Sequence, residues 1–183
     1  MQLDNVKTLR DAVNYGKQFL QDFGIENAQY DATELLLLVM GISRTQYLIN
    51  SMDKIDSGKL AEYAELINKR AEHIPLQHIT GIVNFYGREY KVNANVLIPR
   101  QDTEILVEEV IRILKMFDKK YLRSDIEREN NNTQIFGDKK DTKELKVLDM
   151  CTGSGSIAIS IAKYVKESII DAVDISKKAL DIV

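Results

Sequence analysis

The stretch KVLDMCTGSGSIAISIAKYV (Lys146–Val165), continued by SIIDAVDIS (Ser168–Ser176), decides the fold of the C-terminal part of the chain. Its first apolar residues predict a buried parallel strand, and Thr152-Gly153-Ser154-Gly155 predicts a tight turn. A helix should follow from Ser156 to Val165, and a second strand should deliver an acid, Asp174, at its end. This order predicts a βαβ unit that opens a cofactor site.

The glycines of this turn favour a ligand site, because a ligand approaches a backbone most closely where no Cβ blocks it. The helix that follows offers the unpaired N–H groups of its first turn. A carboxylate at the end of the second strand, here Asp174, is suited to accept both ribose hydroxyls of an adenosine. The plain alternative is a tight turn without a ligand.

The register of the loop favours a methyl donor over a dinucleotide. NAD sites use G-x-G-x-x-G for the pyrophosphate, and this loop, C-T-G-S-G-S from Cys151 to Ser156, lacks that register. S-adenosylmethionine carries no phosphate and fits the looser pattern that begins at Asp149. We therefore expect S-adenosylmethionine as the cofactor.

Residues 1–75 predict a small helical bundle. Apolar residues recur at helical spacing after Thr8, which should cap the first helix, and Gly24 should end it. A second helix should run from about Gln29 to Met40 and stop at Gly41. Ser43 should cap a third helix, and a fourth should run from Ser57 to just before Pro75. Four short amphipathic helices must share one core.

Residues 76–100 predict a β-hairpin that connects the domains, with strands NFYGREYKV and NVLI on either side of Asn93-Ala94-Asn95. Residues 101–183 then begin the α/β domain. Its first helix, capped by Asp102 or Thr103, should turn five apolar side chains inward: Ile105, Leu106, Val110, Ile113 and Leu114. The polar, mixed-charge stretch from Phe117 to Leu145 predicts a solvated loop. The overall fold class is therefore α+β.

Composition restricts the class of protein further. The chain has 183 residues, 44% of them hydrophobic, and a net charge of -3, which argues against broad nucleic-acid binding through bulk positive charge. A single cysteine excludes an internal disulfide and fits a reducing cytoplasm. No secretory leader is expected, and no apolar run approaches the roughly 18 residues of a membrane span.

Two motifs together resemble a known family. LDMCTGSGSIAIS with AVDIS is similar to the first two cofactor motifs of class I methyltransferases, whose α/β domain is Rossmann-like. FYGREYKVNANVLIPRQDTEILVE and PLQHITG resemble the segments before that domain in HemK/PrmC enzymes, which methylate the side-chain amide of glutamine in peptide chain release factors. The resemblance implies methylation of the Gly-Gly-Gln glutamine of class 1 release factors in the cytoplasm.

The resemblance also implies which residues bind the cofactor. Its methionine end should lie on Cys151, Thr152, Gly153, Ser154 and Gly155, and its ribose on Asp174, with Asp149 ordering the loop. Cys151 stands where many family members have glycine, and we expect the loop to tolerate it because the side chain can point into the core.

The family's Asn-Pro-Pro-Tyr motif, which grips the reacting amide, does not occur in this sequence, since no proline follows Pro99. We therefore expect no catalytic residue in this chain and no methylation by it alone. Half of a parallel sheet would also leave an exposed edge, so we expect the chain to self-associate through this edge, to lose order near its C-terminus, or both.

The remaining candidates carry weaker signals. His73 and His78 have no Cys or acid at ligand spacing, so helix-end packing is favoured over a metal site. Cys151 has no histidine near it in sequence, which argues against a nucleophile. Phe85 is a core aromatic of the hairpin or lines the glutamine pocket. Arg100 steadies the cofactor loop or pairs with an acid of the next helix.

Three functions follow from these observations. The first is release-factor glutamine methylation by the protein that carries this sequence. The second is a non-catalytic module that binds the release factor through the helical domain and hairpin. The third is a DNA adenine-N6 methyltransferase, which the acidic balance of the chain disfavours.

Overall fold

The computed structural model describes residues 5–130, 145–166 and 168–183, with the backbone alone for residues 118–130. This part of the chain divides into two compact units, the first ending at Gly81 and the second beginning at Ile82. No helix in the described ranges combines the length and the apolar character that crossing a membrane would require.

The first unit is helical, as the sequence predicts. Its helices are α1 (Leu9–Asp22), α2 (Ala28–Met40), α3 (Arg44–Asn50), α4 (Ser57–Ala71) and α5 (Leu76–Thr80). Thr8 and Ser43 each close a capping box at the start of α1 and α3. Gly41 ends α2 with φ of 63°, a left-handed conformation that glycine adopts without steric cost. These caps confirm the predicted helix ends; α5 is an additional short helix.

The core of this unit forms where α1, α2 and α4 meet, around a buried tyrosine. Tyr63 is fully buried, and its hydroxyl donates to the carbonyl oxygen of Ala32 at 3.1 Å. Its ring lies over Gly16 of α1, where an added Cβ would lie 2.1 Å from the hydroxyl oxygen. The two helices therefore approach closely because residue 16 has no side chain. Arg70 of α4 pairs with the buried carboxylate of Asp31 at 2.7 Å.

The second unit begins with a hairpin whose turn differs from the prediction. β1 (Ile82–Phe85) pairs antiparallel with β2 (Arg88–Lys91). The turn is Tyr86-Gly87, with φ of 50° and 71°, and not Asn93-Ala94-Asn95. Two residues with positive φ match the twist of paired strands, which makes this the favoured short hairpin loop. NVLI is not a strand.

α6 (Asp102–Asn130) corrects two further predictions. Its buried face is formed by Val107, Ile111 and Leu114, with Val110 beside them, whereas Ile105, Leu106 and Ile113 are exposed. The helix also continues through much of the stretch predicted as a loop, because that stretch contains no glycine or proline before Gly137. The rest of that predicted loop, residues 131–144, lies outside the described residues.

The predicted βαβ unit is present. β3 (Leu145–Met150) pairs in parallel with β4 (Ser168–Val173), and α7 (Ser156–Tyr164) connects them. A short helix, α8 (Lys177–Leu180), follows. One face of the strand pair packs on a core that α6, α7 and the hairpin share. The other face is exposed and carries Leu148, Met150, Ile169 and Val173.

Candidate functional site

The loop between β3 and α7 is a tight turn built from left-handed residues. Cys151, Gly153 and Gly155 have φ of 63°, 58° and 73°. The amide of Gly155 donates to the carbonyl of Thr152 at 2.9 Å and closes the turn. The amide of Thr152 donates to the carbonyl of Val173 at 3.0 Å, which ties the loop to the end of β4. The loop is therefore fixed at the carboxyl edge of the parallel strand pair.

Asp149 orders this loop from below. Its side chain is buried, and Oδ2 accepts from the hydroxyl of Thr152 at 2.7 Å and from the amide of Ala158 at 3.2 Å. The second donor lies in the first turn of α7, whose unpaired N–H groups favour a negative charge. Asp149 thus joins loop and helix and faces away from solvent. Its geometry is that of a loop-ordering residue.

Asp174 lies on the same edge, directly beside the glycine loop. Its Oδ2 accepts from the amide of Gly153 at 2.9 Å, and its Oδ1 accepts from the amide of Ser176 at 2.8 Å. These amides, Ser176 first and then Gly153, lower the pKa of the Asp174 carboxyl below its ordinary value. The group is therefore a carboxylate at neutral pH and retains lone pairs that face solvent.

The backbone of the loop is open at Gly153 and closely packed at Gly155. A Cβ added at Gly153 would meet no atom within 4 Å, so the backbone there is open. At Gly155 a Cβ would lie 2.9 Å from Val183, so that glycine is needed for packing within the unit. No Lys or Arg occurs between Met150 and Ala162. A glycine loop without a cation of its own, next to a carboxylate, suits hydroxyl and ammonium groups better than phosphates.

Cys151 does not point into the core as expected; its side chain is exposed. The left-handed backbone at this position directs the Cβ outward and costs a non-glycine residue on the order of 1 kcal/mol. Cys151 is a free cysteine.

The other candidates separate clearly. Phe85 is buried in the core at 1% exposure and packs edge-to-face on Tyr90. This placement matches the first of its two interpretations, a core aromatic of the hairpin. Arg100 is exposed, and Glu104 instead accepts from the amide of Tyr86 at 2.9 Å. Among the described residues, no three His, Cys, Asp or Glu side chains converge in a way that could hold a metal ion.

Sequence reasoning missed one polar contact near the site. The hydroxyls of Tyr90 in β2 and Ser160 in α7 form a buried hydrogen bond of 2.8 Å. The only sequence signal was a serine at position 160, on a helix whose neighbouring residues are apolar. Its partner depends on the tertiary packing and could not be identified from spacing.

The helical unit carries a separate surface groove of about 500 Å³. It lies where the end of α1, the start of α2 and α3 meet, and Tyr30, Arg44, Tyr47 and Leu48 line it. The guanidinium of Arg44 stacks on the Tyr30 ring at 5.4 Å and forms an ion pair with Glu34. Leu48 is largely exposed, so the groove presents apolar and aromatic surface to solvent.

Comparisons with known proteins agree with this organisation. Residues 11–81 match the family model of the PrmC N-terminal domain. The chain is 33% identical over 178 residues to the release factor glutamine methyltransferase of Bacillus subtilis, covering 97% of this chain and 54% of that protein. It is 33% identical over 172 residues to the enzyme of that name from Clostridium acetobutylicum, covering 94% and 52%.

A bifunctional methyltransferase of Rickettsia conorii is 35% identical over 167 residues, covering 90% of this chain and 31% of that protein. The chain thus spans about half the length of the release factor glutamine methyltransferases it matches and about a third of the bifunctional ones. The similarity runs through both structural units, because it covers nearly all of the chain. Residues 11–81 therefore match the PrmC N-terminal domain, and the similarity to release factor glutamine methyltransferases extends over nearly all of the chain.

Proposed function

We propose that residues 82–183 form part of a Rossmann-like S-adenosylmethionine site. The observation that carries this proposal is the juxtaposition of the open glycine loop with the Asp174 carboxylate, 2.9 Å from the Gly153 amide. The ribose hydroxyls would donate to Asp174, and the methionine end would lie along Cys151 to Gly155. The bound cofactor would supply an electrophilic methyl group; these residues would hold and orient it.

The proposed substrate is supported by the relatives of this chain and not by the geometry of this site. Relatives named release factor glutamine methyltransferases align with nearly all of the chain, which supports the glutamine amide of a release factor as the methyl acceptor of the whole protein. The amide-binding Asn-Pro-Pro-Tyr motif does not occur in these 183 residues. In our proposal this chain alone therefore binds cofactor without transferring the methyl group.

The cofactor proposal is tested by calorimetric titration of the chain with S-adenosylmethionine and, separately, with NAD. We expect saturable binding of the first and none of the second. Asp174→Ala should abolish binding, whereas Asp171→Ala, an exposed acid three residues earlier on β4, should leave it unchanged. Equal affinity in both variants would remove Asp174 from the site.

A second function, binding of a release factor by the helical unit, is favoured by one observation. The groove beside Tyr30 and Arg44 exposes apolar surface, and Leu48, Ile49 and Met52 are each more than 60% exposed nearby. A pull-down of a purified class 1 release factor with this chain tests it. Loss of capture in Leu48→Asp, with capture retained in Lys69→Asp on α4, would support it; no capture by the unchanged chain would reject it.

Self-association is a further proposal for this chain. The outer face of β3 and β4 exposes Leu148, Met150, Ile169 and Val173, and parallel strands are normally covered on both faces. Sedimentation of the chain should show dimers or larger species that Leu148→Lys reduces. A monomer at all concentrations, with or without the substitution, would contradict the proposal.

A further inference from the structure

The hairpin of the second unit contacts α7, the helix that follows the glycine loop, through two pairs of side chains. Tyr90 of β2 shares a hydrogen bond of 2.8 Å with Ser160 of α7, and Tyr86 at the turn packs edge-to-face on Tyr164, with ring centroids 5.4 Å apart. Ser160 and Tyr164 are four residues apart, so both lie on one face of α7. The hairpin therefore holds this helix at two points, one turn apart.

The first of these contacts is buried and polar. Tyr90 is 6% exposed and Ser160 is inaccessible to solvent. A buried hydroxyl that loses its partner is costly, and the directional requirement of the hydrogen bond fixes the two groups relative to each other. The apolar side chains of the surrounding cluster, among them Phe85 and Ile161, resist sliding much less because their contacts have no preferred angle.

Ser160 lies one turn after the start of α7, and that start is the glycine loop. Gly155 is the N-cap, and its carbonyl accepts from the amide of Ile159 at 2.9 Å. The amide of Ala158 donates to Asp149, which also holds Thr152. A displacement of α7 at Ser160 would therefore also displace the loop, because the first turn of the helix and the Asp149 carboxylate connect the two.

We propose that Tyr90 is a positioning residue for the cofactor loop: through Ser160 it sets the place of α7, and thereby of the Gly153–Gly155 backbone against Asp174. The inference rests on the proposed S-adenosylmethionine site and adds a residue of the hairpin to it. Tyr90 does not touch the cofactor. It acts through the helix and makes the hairpin an integral part of the site.

The test separates positioning from simple stabilisation. Tyr90→Phe removes the hydroxyl and leaves Ser160 buried without this partner, so the free energy of unfolding should fall. Adding Ser160→Ala removes the orphaned group, and the double variant should recover most of that stability, because an apolar pair of similar shape is nearly neutral. Both variants lack the hydrogen bond between residues 90 and 160.

Affinity for S-adenosylhomocysteine, the product form of the cofactor, is then measured by calorimetry in each variant. We expect a loss of about fivefold in Tyr90→Phe and a similar loss in the double variant despite its restored stability. Tyr63→Phe serves as the matched control, since it removes a buried hydroxyl bond of the helical unit and should lower stability without changing affinity. Affinities within twofold of the unchanged chain in both Tyr90 variants would overturn the proposal.

Hydrogen exchange of the ligand-free chain gives a second readout that does not depend on the cofactor. The amides of Ala158 and Ile159 should exchange faster in Tyr90→Phe and in the double variant, and at the original rate in Tyr63→Phe. If the unchanged chain binds no cofactor, the proposed function fails, and the exchange of these two amides alone decides the positioning role. Unchanged exchange rates would then reject it.

Discussion

The contact between Gly16 and Tyr63 allows a quantitative prediction for Gly16→Ala. On an exposed helix this change stabilises by about 1 kcal/mol, because alanine has the higher helix propensity. Here the new Cβ would lie 2.1 Å from the hydroxyl oxygen of Tyr63 and 2.9 Å from Cζ of its ring. It would also lie 2.8 Å from Cδ1 of Ile67. Tyr63 cannot yield freely, since its hydroxyl is bound to Ala32 and its ring is fully buried.

Overpacking of a core costs about 1–3 kcal/mol, and loss of the tyrosine hydrogen bond adds about 1 kcal/mol. After the propensity gain is subtracted, Gly16→Ala should lower the free energy of unfolding by about 1–3 kcal/mol. Urea denaturation followed by circular dichroism at the helical band measures this change. Gly58→Ala on α4 is the control, because its Cβ would meet only the carboxylate oxygen of Asp56 at 3.1 Å.

A double variant locates the cause. Tyr63→Phe removes the atom that lies nearest to the new methyl group, so the cost of Gly16→Ala should be smaller in a Tyr63→Phe background. Such coupling is expected for residues in contact. A stabilising effect of Gly16→Ala, or equal costs in the two backgrounds, would refute the close approach of α1 and α4 at this point.

Three further predictions concern single side chains. Cys151→Gly should stabilise the chain by about 0.5–1 kcal/mol by relieving the left-handed backbone, whereas Cys151→Ala should not; thermal unfolding of both variants is the check. Arg70→Ala should cost about 3 kcal/mol because it leaves the Asp31 carboxylate buried without its partner, and adding Asp31→Ala should recover part of this in denaturant titrations. The pKa of Asp174 is lowered in the folded chain, so its contribution to stability is present at neutral pH and is lost as the pH falls through that lowered value. The midpoint of its titration by NMR should lie below about 3.9, the ordinary value for aspartate. A midpoint above this value would contradict the hydrogen bonds from Gly153 and Ser176.

Much of the fold could be predicted from local chemistry. The helix ends at Thr8, Gly41 and Ser43 follow from residues whose capping role depends only on their neighbours in sequence. The βαβ unit was predicted because strand, glycine turn, helix and acid occur in an order that few other structures use. Asp174 lies beside the loop because β3 and β4 pair in parallel, so that their carboxyl ends meet at the same edge.

The predictions for α6 and for the hairpin were wrong where the local sequence pattern fits more than one structure. α6 carries apolar residues on more than one side, so its periodicity could not show that Val107 and Ile111, and not Ile105 and Leu106, meet the hairpin. The hairpin turn was placed at an asparagine pair, whereas the strands pair around Tyr86-Gly87. Register depends on which residues pair across the strands, which composition alone does not reveal.

The site shows the same division. The placement of the glycine loop and Asp174 at one edge could be predicted from the sequence, but the outward direction of Cys151 depends on a backbone angle that only the closed turn imposes. The bond between Tyr90 and Ser160 joins two elements far apart in sequence and left no periodic trace. Whether these residues bind a cofactor is the central question for the chain.

An amide NMR spectrum recorded while S-adenosylhomocysteine is added tests that question most directly. The account predicts that the largest shifts belong to Gly153, Ser154, Gly155 and Ser176, that they saturate, and that Asp174→Ala abolishes them while Asp171→Ala does not. Shifts that are absent at saturating ligand, or that concentrate on the helical unit, would contradict a cofactor site at this loop.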